Sequence, residues 1–369
     1  MAAKPLNYAQ TTKGHTIYRP VALFSLATLT PAALLFAAAL RGGLWAAAAL
    51  AFMTVLTFAL DRLISAAADP ADPETEFPAG HALSLTLALL HFPLLAMGVW
   101  SLSGGAGIGL ADKALLFMAL SLFLGQVQNS NAHELIHRSA RLPNRLGRWV
   151  YITLLFGHHA SAHPHIHHRY VATPRDPNTA RLGENFYHFA RRAWLGSFRA
   201  GLRIESERLQ KRGLPRLRHP YIQYFAGAWL TLAAAALIGG AGGVLALIAL
   251  GSYAQMQLLL SDYVQHYGLT RAAKPGGGYV PVGPAHSWNA PQWFSSLLML
   301  NAPHHSDHHA HPARPFPALG LPEEGPMLPH SLPVMASIAL IPPLWRRVMD
   351  PQVAKQGRAK GAPLPTTPM

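Results

Sequence analysis

The sequence predicts an all-α, polytopic membrane protein with about six transmembrane helices and a histidine-rich metal site on the cytoplasmic side. Three observations carry that prediction: long uncharged apolar runs, an uneven distribution of basic residues among the loops, and histidines at metal-ligand spacing. Half of the 369 residues are hydrophobic and only 12% are charged, and the mean hydropathy is +0.17. The apolar residues gather in runs close to the ~20 residues that a helix needs to cross a bilayer. Almost no charge interrupts any face of these runs, which argues against amphipathic helices in a soluble core.

Taken in order, the expected spans are 21–40, 44–60, 82–102, 114–131, 222–240 and 243–261. The first run is too long for a signal-peptide core and has no convincing cleavage site, so it counts as a span. The first four form two helical hairpins, joined by the acidic, proline-bearing loop Asp61 to Pro78. Gly105 to Gly109 is glycine-rich but follows no strand, so it reads as a hairpin turn rather than a nucleotide-binding loop. The fourth span runs directly into His133 and His137. Between Ala190 and Gly213, Trp194, Phe198 and Leu202 recur at near-helical spacing among basic residues, which predicts an amphipathic helix lying on anionic lipid. Residues 1–20 are expected to be a cytoplasmic tail, 21–345 a single integral-membrane catalytic domain, and 346–369 a disordered tail rich in Pro, Gly and basic residues.

The loops set the orientation. Residues 131–220 hold sixteen Lys and Arg against five Asp and Glu, and the first twenty residues hold three basic residues and no acid. The positive-inside bias then places both termini and every histidine cluster in the cytoplasm. The formal net charge of +14 is accounted for by topology, so nucleic-acid binding is not expected. Cysteine is absent. That excludes a disulfide, a thiolate-ligated haem and a cysteine-held iron–sulfur cluster within this chain. Any redox chemistry must draw electrons from another protein.

Thirteen of the twenty-one histidines fall in three short stretches. The first is His133-Glu134-Leu135-Ile136-His137, the second contains His163, His167 and His168, and the third contains His305, His308 and His309. One helical turn separates His133 from His137 and His163 from His167, so each pair is expected to share a helix face. Neutral imidazole suits iron, zinc and copper. A single zinc needs only three or four protein ligands, so eight histidines suit two ions. His133-Glu134-x-x-His137 also spells the zincin motif, with Glu134 as general base, but a protease would leave the other clusters without a role. The soluble di-iron bundle needs two Glu-x-x-His motifs and two further glutamates, and only Glu134-x-x-His137 is present. A metal transporter should place ionisable residues at mid-membrane, and these spans have almost none.

The histidine blocks resemble those of the membrane fatty acid desaturase/hydroxylase superfamily, and within it most closely the membrane-bound alkane 1-monooxygenase family. Four stretches carry the resemblance: Asn131 to Arg138; His163 to His168 running on through Val171 to Pro177; Gln265-His266-Tyr267-Gly268-Leu269; and His305-Ser306-Asp307-His308-His309-Ala310-His311-Pro312. The likeness covers most of residues 20–345. Ala162 and Ile166 stand where the family's second box usually has glutamate and glycine, and His304 stands where arginine is common. Xylene-type methyl hydroxylases have a comparable first box.

The resemblance implies two iron ions and nine ligands: His133, His137, His163, His167, His168, His266, His305, His308 and His309. It implies O₂-dependent hydroxylation of the terminal methyl of an apolar substrate, a medium- to long-chain n-alkane above all. Electrons would come from a rubredoxin-type donor and its reductase, and the enzyme would reside in a bacterial inner membrane. A xylene-type hydroxylase or a lipid desaturase with the same centre remains the alternative, and an intramembrane zinc protease a distant one. Glu134, Asp262 and Asp307 are candidates to receive a ligand N–H and orient its ring. His158, His159, His165, His304 and His311 match no ligand position and are expected around the site or at the surface.

Overall fold

A computed structural model describes residues 19–64 and 77–359. The expected N-terminal tail through residue 18, most of the Asp61 to Pro78 loop and the last ten residues lie outside the described residues. Among those described, the chain is helical, with only isolated β-bridges such as Asn289 to Met327.

Helices cover the expected apolar runs, and most are longer than those runs. Helix α1 is Arg19–Arg41, α2 is Gly43–Leu63, α3 is Pro78–Leu102 and α4 is Leu110–Ile136. The last apolar stretch is one helical run, Pro220–His266, broken at Gly239 and Gly240 into the hairpin arms α8 (220–238) and α9 (241–266). Gly240 takes φ +58°, a conformation that costs a side-chain-bearing residue most. Lipid offers no hydrophobic drive for helix pairing, so close approach of small side chains has to supply the contact. Ala27, Ala38, Ala39, Ala46, Ala49 and Ala119 are accordingly buried where α1, α2 and α4 meet. Large apolar residues such as Leu26, Val55, Leu89, Trp229 and Leu245 stay exposed, as a lipid-facing surface requires.

Three turns mark one end of the bundle. A Cβ at Gly42 would lie 2.8 Å from Asp112, and one at Gly239 only 2.1 Å from Ser103, so the α1–α2, α3–α4 and α8–α9 turns sit together. The opposite end gathers the starts of α1 and α3 against the C-terminal region, where Val21, Phe77 and Ala318 form a small cluster. There the Asp61 carboxylate, at the end of α2, accepts the backbone N–H groups of Phe294 and Ser295, each at 2.9 Å. It thereby caps the short helix α10, Trp293–Leu298.

Between α4 and α8 the chain stays at this second end. It forms α5 (Arg141–Thr153), then the segment His159–Ala162, His163–His167 and His168–Tyr170, here α6, and then α7 (Phe186–Lys211). The Asn185 side chain caps α7 by accepting the His188 N–H at 2.9 Å. Its buried stripe is Phe189, Ala193, Ser197, Gly201 and Glu205, each four residues after the last. The amphipathic helix expected at Ala190 to Gly213 is thus present, but Leu202 faces outward. Helices α11 (His305–Ala310), α12 (Leu332–Ala339) and α13 (Pro342–Ala359) complete the described residues.

The tail expected to be disordered from residue 346 is helical through Ala359. Trp345, Met349 and Val353, at i, i+4 and i+8, are buried. The Tyr267 hydroxyl donates to Asp350 at 2.7 Å, and Trp345 packs on the Tyr263 and Tyr267 rings. These contacts give α13 an apolar face to bury and outweigh the helix-breaking Pro351.

Candidate metal centre

The nine predicted histidines converge from four elements at the second end of the bundle. They come from the end of α4 (His133, His137), from α6 (His163, His167, His168), from the end of α9 (His266) and from α11 (His305, His308, His309). Their ring nitrogens fall into two groups, each within 4.8 Å: His133, His137, His163, His168 and His308 in one, and His167, His266, His305 and His309 in the other. Except for half-buried His133, His137 and His168, the nine are buried.

Contrary to the shared helix face that their spacing predicts, His163 and His167 do not share a group. Residues His163–His167 form a π turn, whose i→i+5 hydrogen bonding widens the helix. That brings His163 beside His168, with Nε2 atoms 2.9 Å apart, and sends His167 to the other group. His305 and His309, on a regular α turn, do pair, at 3.1 Å.

The nitrogen geometry discriminates between a hydrogen-bonded histidine cluster and a metal site. An imidazole nitrogen either donates one proton or offers one lone pair. Yet His163 Nε2 lies 2.6 Å from His133 Nε2 and 2.9 Å from His168 Nε2. His168 Nε2 lies also 3.0 Å from His308 Nε2. In the second group His305 Nε2 lies 3.1 Å from both His266 Nε2 and His309 Nε2. No proton placement satisfies every one of these pairs along lone-pair directions. A shared cation does: two nitrogens each ~2.1 Å from an ion and at right angles about it stand about 3 Å apart. His137 and His167 each leave a buried Nε2 with no hydrogen-bond partner, a cost that ligation removes. The residues present therefore fit two metal ions.

The electrostatics agree. Burial, then the neighbouring imidazoles, hold His163, His168, His305, His308 and His309 well below the usual histidine range. Burial lowers His137 to about 4, helped by the His167 charge. These rings are neutral at pH 7, the form that ligates. His167 is the exception: burial would lower it, but the buried Asp176 carboxylate outweighs that and raises it.

Asp176 is the residue that sequence reasoning missed. Its Oδ2 accepts from His167 Nδ1 at 2.8 Å and from the Thr179 hydroxyl at 2.7 Å, and its Oδ1 accepts the Asn178 N–H at 3.0 Å. It fixes the His167 tautomer with Nε2 free, the arrangement typical of a carboxylate behind a ligating histidine. His266 is held the same way, donating from Nδ1 to the His286 carbonyl at 3.2 Å.

None of the three carboxylates expected in that role is hydrogen-bonded to a ligand. Glu134 pairs with Arg138 one turn on. Asp307 accepts from Arg314 and from the Gly320 N–H at 2.9 Å, and pairs with His311. Asp262 accepts from Asn178 at 2.7 Å, and so stands behind Asp176 rather than behind a ring. His304 donates to the Leu319 carbonyl at 2.8 Å, His158 approaches Ser197 at 3.3 Å and His165 contacts Arg208. His159 is buried and stacks on His163 at 4.9 Å, outside both groups.

A cavity of about 400 Å³ leads to the histidines between α2, α4, α9 and α12. Its wall is largely apolar, with Met53, Phe58, Leu122, Met256 and Leu340 in the lining, and it reaches His133, His163 and His305.

Comparison with known proteins agrees with this geometry. The fatty acid desaturase family model matches residues 113–334. The chain is 32% identical to alkane 1-monooxygenase 2 of Pseudomonas aeruginosa, over 77% of this chain and 78% of that protein. It is 34% identical to alkane 1-monooxygenase of Acinetobacter baylyi, over 66% of this chain and 60% of that protein. The chain belongs to the alkane 1-monooxygenase family. It is similar too, at 32% identity over 58% of its length, to the hydroxylase component of a xylene/toluene monooxygenase of Pseudomonas putida, of which it covers 57%. The matched region spans all nine histidines and Asp176. The chain is thus a multi-pass membrane oxidoreductase of the monooxygenase class, with a histidine-built metal centre and a need for external electrons.

Proposed function

We propose that this protein hydroxylates the terminal methyl group of a medium- to long-chain n-alkane at a di-iron centre, with electrons from a rubredoxin-type donor. The observation that carries the reading is the apolar cavity reaching His133, His163 and His305. An apolar chain dissolved in the bilayer can enter between α2 and α12 and present one end to both histidine groups. The chain's own residues supply the binding, the exclusion of water and the ring orientation. When bound, two irons would activate O₂ with two electrons, so that one oxygen atom enters the terminal C–H bond and the other leaves with two protons as water. Five histidines on one side and four on the other are the ligand sets in this reading. The wholly imidazole donor set leaves both ions' charge uncompensated, and the buried Asp176 and Asp262 carboxylates would help to offset it. The positive-inside bias supports a location in the bacterial inner membrane with the histidines facing the cytoplasm.

The similarity to the xylene/toluene monooxygenase component favours one second reading, methyl hydroxylation of an alkylbenzene, and the same experiment addresses both. Iron-loaded protein is given ¹⁸O₂, a reductant and separate pools of n-alkanes, alkylbenzenes and acyl lipids, and products are identified by mass spectrometry. A primary alcohol from an n-alkane carrying one labelled oxygen is the expected result. A benzylic alcohol as sole product would establish the second reading. A new double bond without label would make the protein a desaturase, and cleavage of a membrane peptide, abolished by Glu134→Gln, a protease.

A further inference from the structure

A second cavity, of about 330 Å³, opens on the same end of the bundle between α5, α6, α7 and the start of α8, away from the substrate path. We propose that it binds the phosphate headgroup of an anionic phospholipid. Four guanidiniums line it: Arg148 of α5, Arg208 and Arg212 at the end of α7, and Arg218 just before α8. The one carboxylate in the wall, Glu205, is already engaged. It accepts from the Ser161 hydroxyl at 2.8 Å and pairs with Arg208 at 3.3 Å, while the Ser161 and Tyr224 hydroxyls meet at 2.8 Å. Arg148, Arg212 and Arg218 have no ionic or hydrogen-bonded side-chain partner among the described residues. Three uncompensated guanidinium forks lining one half-open cavity are a site for a phosphate, which they can grip bidentately.

The surroundings favour a lipid over a free anion. Pro220 and Tyr224, in the first turns of α8, form part of the wall, and Ile222, Phe225 and Trp229 on the same helix are exposed and apolar. The cavity mouth therefore lies where a span leaves the bilayer, at headgroup level. A basic pocket between spans at that depth suits an anionic headgroup, and the exposed α8 face can take its acyl chains. The occupant would also brace the metal centre. The wall residues Ser161, Pro164 and His165 belong to α6, the segment that carries His163, His167 and His168.

The test is native mass spectrometry of iron-loaded protein in neutral detergent, titrated with phosphatidylglycerol or with phosphatidylcholine of the same acyl chains. Wild type should retain phosphatidylglycerol at least about tenfold more tightly. The Arg212→Gln/Arg218→Gln variant, both residues being exposed, should lose about tenfold or more of that binding at unchanged iron content, as expected for two lost cationic contacts. Arg199→Gln/Arg203→Gln, on the part of α7 outside the cavity, should bind as wild type. Equal retention of the two lipids by wild type overturns the proposal whatever the variants do. Equal losses in the two double variants overturn it in favour of diffuse surface charge. Displacement of the lipid by inorganic phosphate at equal concentration overturns it in favour of a free-anion site.

Discussion

Asp176 Oδ2 and His167 Nδ1 stand 2.8 Å apart, both buried, the histidine on α6 and the aspartate nine residues on in the loop that follows the helix. The contact leaves His167 Nε2 as the free atom, aimed into the group with His266, His305 and His309. Asp176→Asn keeps the shape but removes the charge and the certainty of an acceptor. Loss of such a partner usually costs roughly 10–100-fold in metal affinity. The expected outcome is that iron, measured by plasma emission after dialysis against a weak chelator, falls from about two per chain towards one while the helical content by circular dichroism is kept. Retention of both irons at full activity would remove Asp176 from the site.

The two histidine groups should respond to ligand deletion as a pair of separate sites. His137→Ala removes a ligand from the group of five, and His309→Ala one from the group of four. Each should lower the iron content and abolish turnover, because the reaction needs both ions. His159→Leu is the informative control. His159 touches His163 but belongs to neither group, so the variant should hold two irons while its turnover changes through the cavity wall. Stoichiometric zinc in active protein, with no iron, would refute the di-iron reading.

The histidines were legible in the sequence because metal ligation demands doublets at short, recurring spacings, and the spans because a bilayer demands uninterrupted apolar runs. Their grouping was not legible, since a π turn at His163–His167 changes which residues neighbour each other without any mark in the sequence pattern. Asp176 was hidden for a similar reason: a loop closed by an Asn178 N–H and a Thr179 hydroxyl brings it to His167, and loops have no periodicity to read. Glu134, Asp262 and Asp307 lie near ligands along the chain, which says little about where a carboxylate points. Helix α13 is not legible in the sequence because Pro351 and its basic residues mask the Trp345, Met349 and Val353 stripe.

Substrate length should be set by the cavity. Leu122, on α4, lines it and has no polar role. In Leu122→Trp the added ring should occupy volume that a long chain needs, so kcat/KM should fall at least several-fold for the longest accepted alkane and much less for the shortest. Iron content should stay unchanged. A uniform loss across chain lengths, measured by product yield on a mixed alkane pool, would place the substrate elsewhere.

Electron delivery should depend on exposed arginines near the histidines, and the structure distinguishes which ones. Arg192 is not available: its guanidinium donates to both Glu184 oxygens at 2.8 and 2.7 Å and to the Pro177 and Thr179 carbonyls at 2.8 and 3.0 Å. It ties α7 to the loop that carries Asp176, so Arg192→Glu should cost iron and stability whatever the electron source. Arg141 and Arg145 differ. They are exposed on the first turns of α5, directly after His137, with no ionic partner among the described residues. If an acidic rubredoxin-type donor docks there, complementary charge acts mainly on the association rate, and screening beyond ~8–10 Å at 0.1–0.15 M ionic strength weakens it. Arg141→Glu/Arg145→Glu should therefore reduce turnover at subsaturating donor several-fold, and raising salt should reduce wild-type turnover in the same way. Turnover driven by a small chemical reductant should be unaffected by either change. Equal losses with both electron sources, measured by stopped-flow oxidation of the donor beside product formation, would assign these arginines to topology and lipid contact instead.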